Sequence, residues 1–457
     1  LEGSAADGRQ FIPDAVERGA AVVLARPGTA APVPVLESEE PRLTLAQLAM
    51  AYYRSQPRVI AGVTGTNGKT SVVRFAALLW TALGARAGSL GTLGAVAPGF
   101  EYALRHTTPD PVEIHQVLDG MAAVGTTHLA MEISSHGLAQ FRADGVDLSL
   151  AGFTNITQDH YDYHGDFESY YAAKRRLWTE LLPRGAAVVM STDGPGADRA
   201  YEDAEKAGRR AVRVGRRGEL LKLLSVTPTP TGLSLNIEAA GRTFQQELSM
   251  VGAFQAENAL IAAGLVIESG YPAEVVLPQL HHLSAAPGRM ELAAALTVRG
   301  GQASVYVDYA HTPAAVAKAL EAIAPHTAGH VHVVLGAGGD RDKNKRAEMG
   351  KAASNHAQRV VITDDNPRFE DPAEIRRQVA EGAPNATIIG DRREAIQDAL
   401  KALGPGDSLV VAGKGHERGQ TINGVTYPFV DKEVVQELAA SLGPVEAGHP
   451  SQEQWSA

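Results

Sequence analysis

Gly62-Val63-Thr64-Gly65-Thr66-Asn67-Gly68-Lys69-Thr70-Ser71 decides how this chain is read. An apolar run, Val59-Ile60-Ala61, precedes it and reads as a buried strand. Val72 to Leu83 follows and reads as a helix stopped by Gly84. A strand, a glycine-rich turn ending in Lys-Thr and a helix together make a phosphate cradle. Glycines let backbone N–H groups approach phosphate oxygens, and the helix N-terminus adds partial positive charge. In that reading Lys69 meets the terminal phosphates and Thr70 a Mg²⁺ ion. The strict motif would need glycine at Val63, so the match is imperfect. The strand–turn–helix context still favours nucleotide binding over an ordinary strand-to-helix turn.

At 457 residues, about three domains are expected. Hydrophobic residues make up 44% and charged residues 21%, ordinary proportions for a globular enzyme. With no cysteine, disulfides, thiol catalysis and thiolate metal sites are excluded, which fits a reducing cytoplasm. The net charge of −10 argues against a general nucleic-acid or anionic-membrane binder. No apolar run is long enough to span a bilayer. The opening Leu1-Glu2-Gly3-Ser4 lacks a basic stretch followed by an apolar one, so no signal peptide is expected. The chain enters almost directly on Ala6-Asp7-Gly8-Arg9, with no strand before it, and so reads as clipped at its start.

Ala15 to Leu24 reads as a short helix and strand, Arg26 to Pro34 as a loop, and Leu43 to Tyr53 as a helix ending before Pro57. Further strands are expected at Thr127–Ile133, Leu148–Phe153 and Ala186–Met190. Leu220 to Leu248 alternates apolar and polar residues around Pro228, Pro230 and Gly232, which predicts antiparallel hairpins forming a small β appendage. Ala253 to Glu268 reads as a helix closed by Gly270. Beyond Ala286-Pro287-Gly288, strands at about Ser304–Val307, Val331–Leu335, Val360–Thr363, Thr387–Ile389 and Leu409–Ala412 alternate with helical stretches. That pattern predicts a parallel, doubly wound sheet with its ligands at the carboxyl ends of the strands. The expected divisions are 1–56, 57–287, 288–443 and a flexible Pro/Gly/polar tail, 444–457.

Several loops that follow strands carry chemistry. Met131-Glu132-Ile133-Ser134-Ser135-His136-Gly137 places a carboxylate beside the phosphate cradle, suited to Mg²⁺, which takes oxygen ligands. The bland alternative is a surface Glu with a capping Ser. Thr154-Asn155-Ile156-Thr157-Gln158-Asp159-His160-Tyr161-Asp162-Tyr163-His164 packs His, Asp and Asn densely, either as a second metal or substrate-oxygen site or as a polar surface loop. Lys174 does not stand out, because a lysine on a helix is usually solvated. Gly336-Ala337-Gly338-Gly339-Asp340-Arg341-Asp342-Lys343, Thr363-Asp364-Asp365-Asn366-Pro367-Arg368 and Gly413-Lys414-Gly415-His416-Glu417 gather on one sheet edge. Two arginines and several carboxylates there suit a zwitterion, with the arginines taking carboxylates and the acids taking ammonium groups.

In order along the chain, Gly65-Thr66-Asn67-Gly68-Lys69-Thr70, Glu132-Ile133-Ser134-Ser135-His136-Gly137-Leu138, the Asp159-His160 loop, Asp308-Tyr309-Ala310-His311-Thr312-Pro313 and Gly413-Lys414-Gly415-His416-Glu417 resemble the Mur ligases. These are ATP-dependent amino-acid ligases of peptidoglycan precursor synthesis, and the resemblance runs from about Ala6 to Leu442. It implies a three-domain α/β fold: an N-terminal UDP-binding domain, here incomplete, a central P-loop ATPase domain with a β appendage, and a C-terminal Rossmann-like domain. The branch it most resembles adds the third residue to UDP-N-acetylmuramoyl-L-alanyl-D-glutamate through an acyl phosphate. A cytoplasmic monomer working on small molecules is expected, with ATP and Mg²⁺ and without nucleic acid or membrane insertion.

The resemblance also implies residue roles. Gly65 to Ser71 would hold ATP phosphates, and Asn258, Arg289 and Asp308 the adenine and ribose. Lys69, His160 and Lys174 would be catalytic. Thr70 and Glu132 would serve one Mg²⁺, and His160 and Lys174 a second, with Lys174 carbamylated. Ser4, Thr107, Thr108, Ser134, Gln140 and Arg142 match contacts to the UDP-substrate, while His106 stands where the best-known member has asparagine. Arg341, Asp365, Asn366, Pro367, Arg368, Gly413 and Glu417 would form the amino-acid pocket. The Asp-Asn-Pro-Arg motif at 365–368 marks members that add meso-diaminopimelate. That diamino acid has a second carboxylate for Arg368, and without it a buried guanidinium is left unpaired. The alternatives are the same reaction with L-lysine or L-ornithine, an inactive ATP-binding scaffold, and a folylpolyglutamate synthetase.

Overall fold

The computed structural model describes residues 7–230, 232–298 and 300–442. Ser4 and the expected tail at 444–457 lie outside them. The chain divides into two compact units. The first comprises Leu1–Leu224, Asn236–Gln246 and Glu257–Leu283, and the second comprises Ser225–Leu235, Glu247–Ala256 and Ser284–Ala457.

The first unit is built on the strand Val59–Thr64. It pairs in parallel with His128–Glu132 on one side and Leu150–Phe153 on the other. From Ile60 onward every residue of that strand is buried, as expected of a central parallel strand covered on both faces. The helix Lys69–Ala82 covers one face with Val72, Val73, Phe75, Ala76, Leu79 and Trp80. Its end is marked by Gly84 at φ +85°, a left-handed position that glycine occupies without strain. Because these strands run the same way, the loops after Thr64, Glu132 and Phe153 emerge at one edge.

The sheet extends further than expected. Ala87–Gly91 pairs in parallel with His128–Glu132, and Gly94–Ala97 and Phe100–Tyr102 add antiparallel strands beyond it. On the other side Ala187–Ser191 and Arg210–Gly215 continue the parallel order. Leu221–Thr229, Gly232–Ala239 and Arg242–Leu248 follow as the last three of eleven strands. The expected β appendage is therefore continuous with the main sheet, because Leu221 and Lys222 pair with Val214 and Gly215.

The second unit holds a six-stranded sheet, in the order Glu291–Val298, Gly301–Asp308, Ser408–Ala412, Val331–Leu335, Arg359–Ile362, Thr387–Ile388. The expected strands are present, but the sheet is not wholly parallel. Glu291–Val298 adds an antiparallel edge strand. Its alanine-rich sequence hides it, since alanine favours helices over strands. Alternate side chains divide the core between two faces. Val333, Leu335, Ile362 and Val410 pack with Val316, Leu320, Met349 and Val379. Val334, Val361, Leu409 and Val411 pack with Ile396, Leu400, Val435 and Leu438.

A fully buried ion pair ties the second face together. Arg392 donates to both carboxylate oxygens of Asp431 at 2.7 and 2.6 Å, and to the Ala412 carbonyl at 3.0 Å. Asp431→Asn is expected to cost about 3–5 kcal/mol, because it leaves a desolvated guanidinium without its counter-charge. Glu437→Gln breaks an exposed pair with Arg393 and should cost under about 1 kcal/mol. Chemical denaturation of the two variants checks the contrast.

Candidate active site

The phosphate loop is held in shape by the loop after Leu150–Phe153. Thr66 N donates to the Asn155 carbonyl at 2.8 Å, and Asn67 N donates to Asn155 Oδ1 at 3.2 Å. Thr154 Oγ1 donates to the Asn67 carbonyl at 2.6 Å, and Thr157 N donates to Thr66 Oγ1 at 3.0 Å. Two glycines make this approach possible. A Cβ on Gly65 would strike Thr154 Oγ1, and one on Gly68 would strike Asn258 Oδ1. Asn258 is buried beside the loop, and Ser71 is buried in the first turn of the helix.

Lys69 folds back over this loop, its Nζ donating to the carbonyls of Gly65 at 2.9 Å and Thr66 at 3.0 Å. Lys174, only 1% exposed, donates to the same Gly65 carbonyl at 2.8 Å. Burial first, and then the Lys69 charge, pull the Lys174 pKa well below the ordinary lysine value. The structure thus gives Lys174 a buried, easily neutralised amine, where the sequence suggested a solvated one. Its Nζ lies 4.6 Å from the centre of the Tyr170 ring, and the His160 ring approaches that ring at 6.2 Å. His160 itself is exposed, with φ +54° and a 3.4 Å contact to Asp159.

Glu132 is brought directly to the loop. One carboxylate oxygen accepts from Thr92 N at 2.8 Å, and the other accepts from Thr70 Oγ1 at 3.0 Å. Burial raises the Glu132 pKa, opposed by the Lys69 charge and by bonds from Thr92 and Thr70. Gly91 leaves room for this carboxylate, which a Cβ there would strike. A buried carboxylate between two hydroxyls is a hard-oxygen environment that fits Mg²⁺, whose other ligands are commonly phosphate oxygens and water. Among the described residues no group of three or more His, Asp or Glu side chains gathers to hold a metal unaided.

The expected UDP-substrate residues adjoin this cluster. Thr107 Oγ1 lies 3.1 Å from Thr92 Oγ1. Buried Thr108 donates to the Glu132 carbonyl at 3.1 Å and accepts from Ser134 N at 2.9 Å. The Ser134 hydroxyl caps a short helix, accepting from Gly137 N at 3.0 Å, so the capping alternative holds for its side chain. Gln140 Oε1 accepts from Arg142 and, at 3.1 Å, from Arg42. Arg42, His106 and Arg142 line a cleft of ≈ 210 Å³ with Gln140. Neither Arg42 nor Thr92 was marked by the sequence.

The second unit gathers the three loops expected at one sheet edge. Lys414, with no exposed surface, donates to Asn366 Oδ1 and to Glu417 Oε2, both at 3.2 Å, and approaches Asp365 Oδ1 at 3.5 Å. Asn366 Nδ2 donates to Glu417 at 2.9 Å. Arg368 Nη1 donates to the Gly339 carbonyl at 2.6 Å, and Arg341 is exposed. Glycine is required at Gly339, where a Cβ would strike the Pro367 carbonyl. Gly413, at φ +114°, faces Asp365. Buried Arg346 anchors this edge, pairing with both oxygens of Glu370 at 3.0 Å and donating to the Gly338 carbonyl. Asp308 accepts from Met290 N and Ala310 N, each at 2.8 Å, so both its oxygens already serve the backbone. The Arg289 guanidinium lies 4.7 Å from the Tyr309 ring centre.

Comparison with known proteins bears on these two clusters. Residues 63–266 match the Mur ligase middle domain, and residues 288–415 match the Mur ligase, glutamate ligase domain. The UDP-N-acetylmuramoyl-L-alanyl-D-glutamate--2,6-diaminopimelate ligase of Chelativorans sp. (strain BNC1) is 48% identical over 438 residues, 95% of this chain and 90% of that one. A solved structure of a UDP-N-acetylmuramoyl-L-alanyl-D-glutamate--2,6-diaminopimelate ligase is 31% identical with a TM-score of 0.69, covering 95% of this chain and 89% of its own. Mycobacterium tuberculosis folylpolyglutamate synthase complexed with ADP has a TM-score of 0.64 at 20% identity, over 81% of this chain and 91% of its own, a likeness of fold alone.

Proposed function

The chain belongs to the Mur ligase family, and on that premise we propose that it joins meso-diaminopimelate to UDP-N-acetylmuramoyl-L-alanyl-D-glutamate at the expense of ATP, in peptidoglycan precursor synthesis. The observation that carries this is the 48% identity across 95% of the chain, an overlap too long to omit either the phosphate loop or the 365–368 loop. On the same premise, 1–56 would be a UDP-substrate domain, 57–287 an ATP-binding domain and 288–443 an amino-acid domain. Limited proteolysis cutting near residues 56 and 287 would support that division, and cuts elsewhere would oppose it. No helix among the described residues is long and apolar enough to cross a membrane. We assign the reaction to the cytoplasm, where ATP is supplied.

A carboxylate is a poor electrophile, so it must be activated. The γ-phosphoryl group of ATP passes to the carboxylate of the UDP-substrate, and ADP leaves. The amine of the diamino acid then attacks the acyl carbon, and phosphate departs with the electrons of the broken C–O bond. The amine gives up a proton, and an amide remains. Lys69 would leave its two loop carbonyls to meet the transferring phosphoryl group. Mg²⁺, when bound, would neutralise charge on that group, held by Thr70 and Glu132, with a second ion at His160 and Lys174. Arg142 and Gln140, with Thr107 and Thr108, would orient the UDP-substrate. Arg368 would pair with the second carboxylate of diaminopimelate.

Lys174 gives this reading a chemical foothold. Burial lowers the pKa of this amine and so favours its neutral form, which can attack CO2 and lose a proton, becoming a carbamate with two oxygen ligands. Protein prepared in isotope-labelled bicarbonate is expected to show a carbamate carbonyl signal that Lys174→Met lacks. An identical signal in both would remove the modification from Lys174.

A phosphate-release assay with ATP, the UDP-substrate and a panel of amino acids tests the function. We expect kcat/KM for meso-diaminopimelate to exceed that for lysine or ornithine by at least about 100-fold. The opposite order overturns the amino-acid assignment, and no release with any of them overturns the ligase reading. Lys69→Ala should lower kcat by about 10²–10³-fold. An unchanged rate would sink the phosphate role of Lys69.

A further inference from the structure

Arg368 occupies a backbone conformation that needs support. Its φ is +53°, in the left-handed region that residues with a side chain rarely adopt. Such a conformation persists only where the surroundings over-determine it, and it is concentrated at functional sites. The support here comes from a two-stranded hairpin, Gly419–Ile422 with Val425–Pro428. Arg368 N donates to the Thr421 carbonyl at 3.0 Å, and Asn423 N donates to the Arg368 carbonyl at 2.6 Å. Thr421 N reaches Asn366 Oδ1 at 3.0 Å. Arg368 and Ile422 thereby form a single parallel bridge, so both backbone polar groups of Arg368 are taken by the hairpin.

The hairpin is itself a well-determined object. Its central residues, Asn423 and Gly424, have φ +49° and +77°. Two positive values at an Asn-Gly pair are the signature of a type I′ turn, whose twist matches that of the strands it joins. The outer strand, Val425–Pro428, is exposed along its whole length. Within the second unit, the inner strand and the turn meet the 366–368 segment through Thr421 and Asn423, and Gln420 reaches the Asp364 carbonyl at 3.5 Å just before it. That segment spends one guanidinium nitrogen on the Gly339 carbonyl and leaves the rest of the fork for a ligand.

We propose that the hairpin Gly419–Pro428 is the specificity-setting element of the amino-acid site. It fixes the left-handed backbone of Arg368 and so orients the guanidinium that selects a diamino acid with a second carboxylate. Thr421 and Asn423 are positioning residues, acting through Arg368. The inference rests on the assignment of Arg368 made above, and goes beyond it by placing the determinant of selectivity outside the pocket, in the turn.

The test is a kinetic cycle on the full chain with diaminopimelate, lysine and ATP varied in turn. Gly424→Val disfavours the positive φ that the turn requires. It is expected to raise KM for diaminopimelate roughly tenfold while kcat and KM for ATP stay within about twofold. Gly424→Asn tolerates positive φ, and its Cβ would meet only the Phe369 ring, which is 74% exposed and free to turn aside. It should behave as the parent. Arg368→Ala should raise KM for diaminopimelate at least as much, and adding Gly424→Val to it should change nothing further. Full additivity of the two, an unmoved KM in Gly424→Val, or an equal rise in KM for ATP overturns the inference. If Arg368→Ala itself leaves KM for diaminopimelate unchanged, the assignment of Arg368 is what fails, and the inference falls with it. Should Gly424→Val not fold, Gly424→Ala carries the same comparison with a smaller rise.

Discussion

Glu132 carries its carboxylate into a place with almost no water, and much of the first unit follows from making that tolerable. An ionised carboxylate is expensive to bury unless hydrogen bonds and opposite charge replace its hydration. Thr70 and Thr92 supply the bonds, Lys69 supplies charge, and Gly91 supplies the space. Two elements provide them: the first turn of the helix Lys69–Ala82 carries Lys69 and Thr70, and the end of the strand Ala87–Gly91 carries Gly91 and leads into Thr92. The phosphate loop is thus one side of a wall whose other side is a buried acid. Lys174 sharpens the arrangement, because a second amine shares the Gly65 carbonyl with Lys69, and its pKa is lowered first by burial and then by the Lys69 charge.

The second unit meets a comparable demand with cations. The side chains of Lys414, Arg346 and Arg392 are all without exposed surface, and each ties a loop that follows a strand. Lys414 joins Asn366 to Glu417, Arg346 joins the Gly338 carbonyl to Glu370, and Arg392 joins the Ala412 carbonyl to Asp431. The pair of Arg346 with Glu370 holds the Glu370 carboxyl far down, at about 2. Such pairs contribute definite geometry more than net stability. What they define is the edge on which Arg368 and Asp365 sit.

The sequence marked most of the elements and both loops, for a local reason. A strand, a glycine-rich turn and a helix are contiguous, so the cradle at Gly65–Thr70 shows itself within a dozen residues or so. The roles of Asn258, Arg289 and Asp308 came only through family likeness. Of these, Asp308 uses both oxygens on backbone donors, which no spacing could reveal. Thr92 and Arg42 were missed because their partners lie 40 and 98 residues away. Two strands were missed for a different reason. Ala87–Gly91 and Glu291–Val298 are rich in alanine or glycine, and their pairing rather than their propensity makes them strands. The β segment at 221–248 was seen, but its continuity with the main sheet depends on a two-residue pairing that leaves no pattern.

The stitching of the phosphate loop has a consequence in time. Thr66 reaches Tyr170 across 104 residues, and Lys174 reaches Gly65 across 109. Strand Val59–Thr64 likewise waits for its neighbour Leu150–Phe153. As the chain leaves the ribosome from its N-terminus, the loop emerges long before the residues that shape it, and contacts of such long sequence separation form slowly. Early in synthesis Gly65–Thr70 is therefore an unclosed turn. The segment that is easiest to recognise when the sequence is read cannot take its final shape until residues about a hundred positions further on have been made.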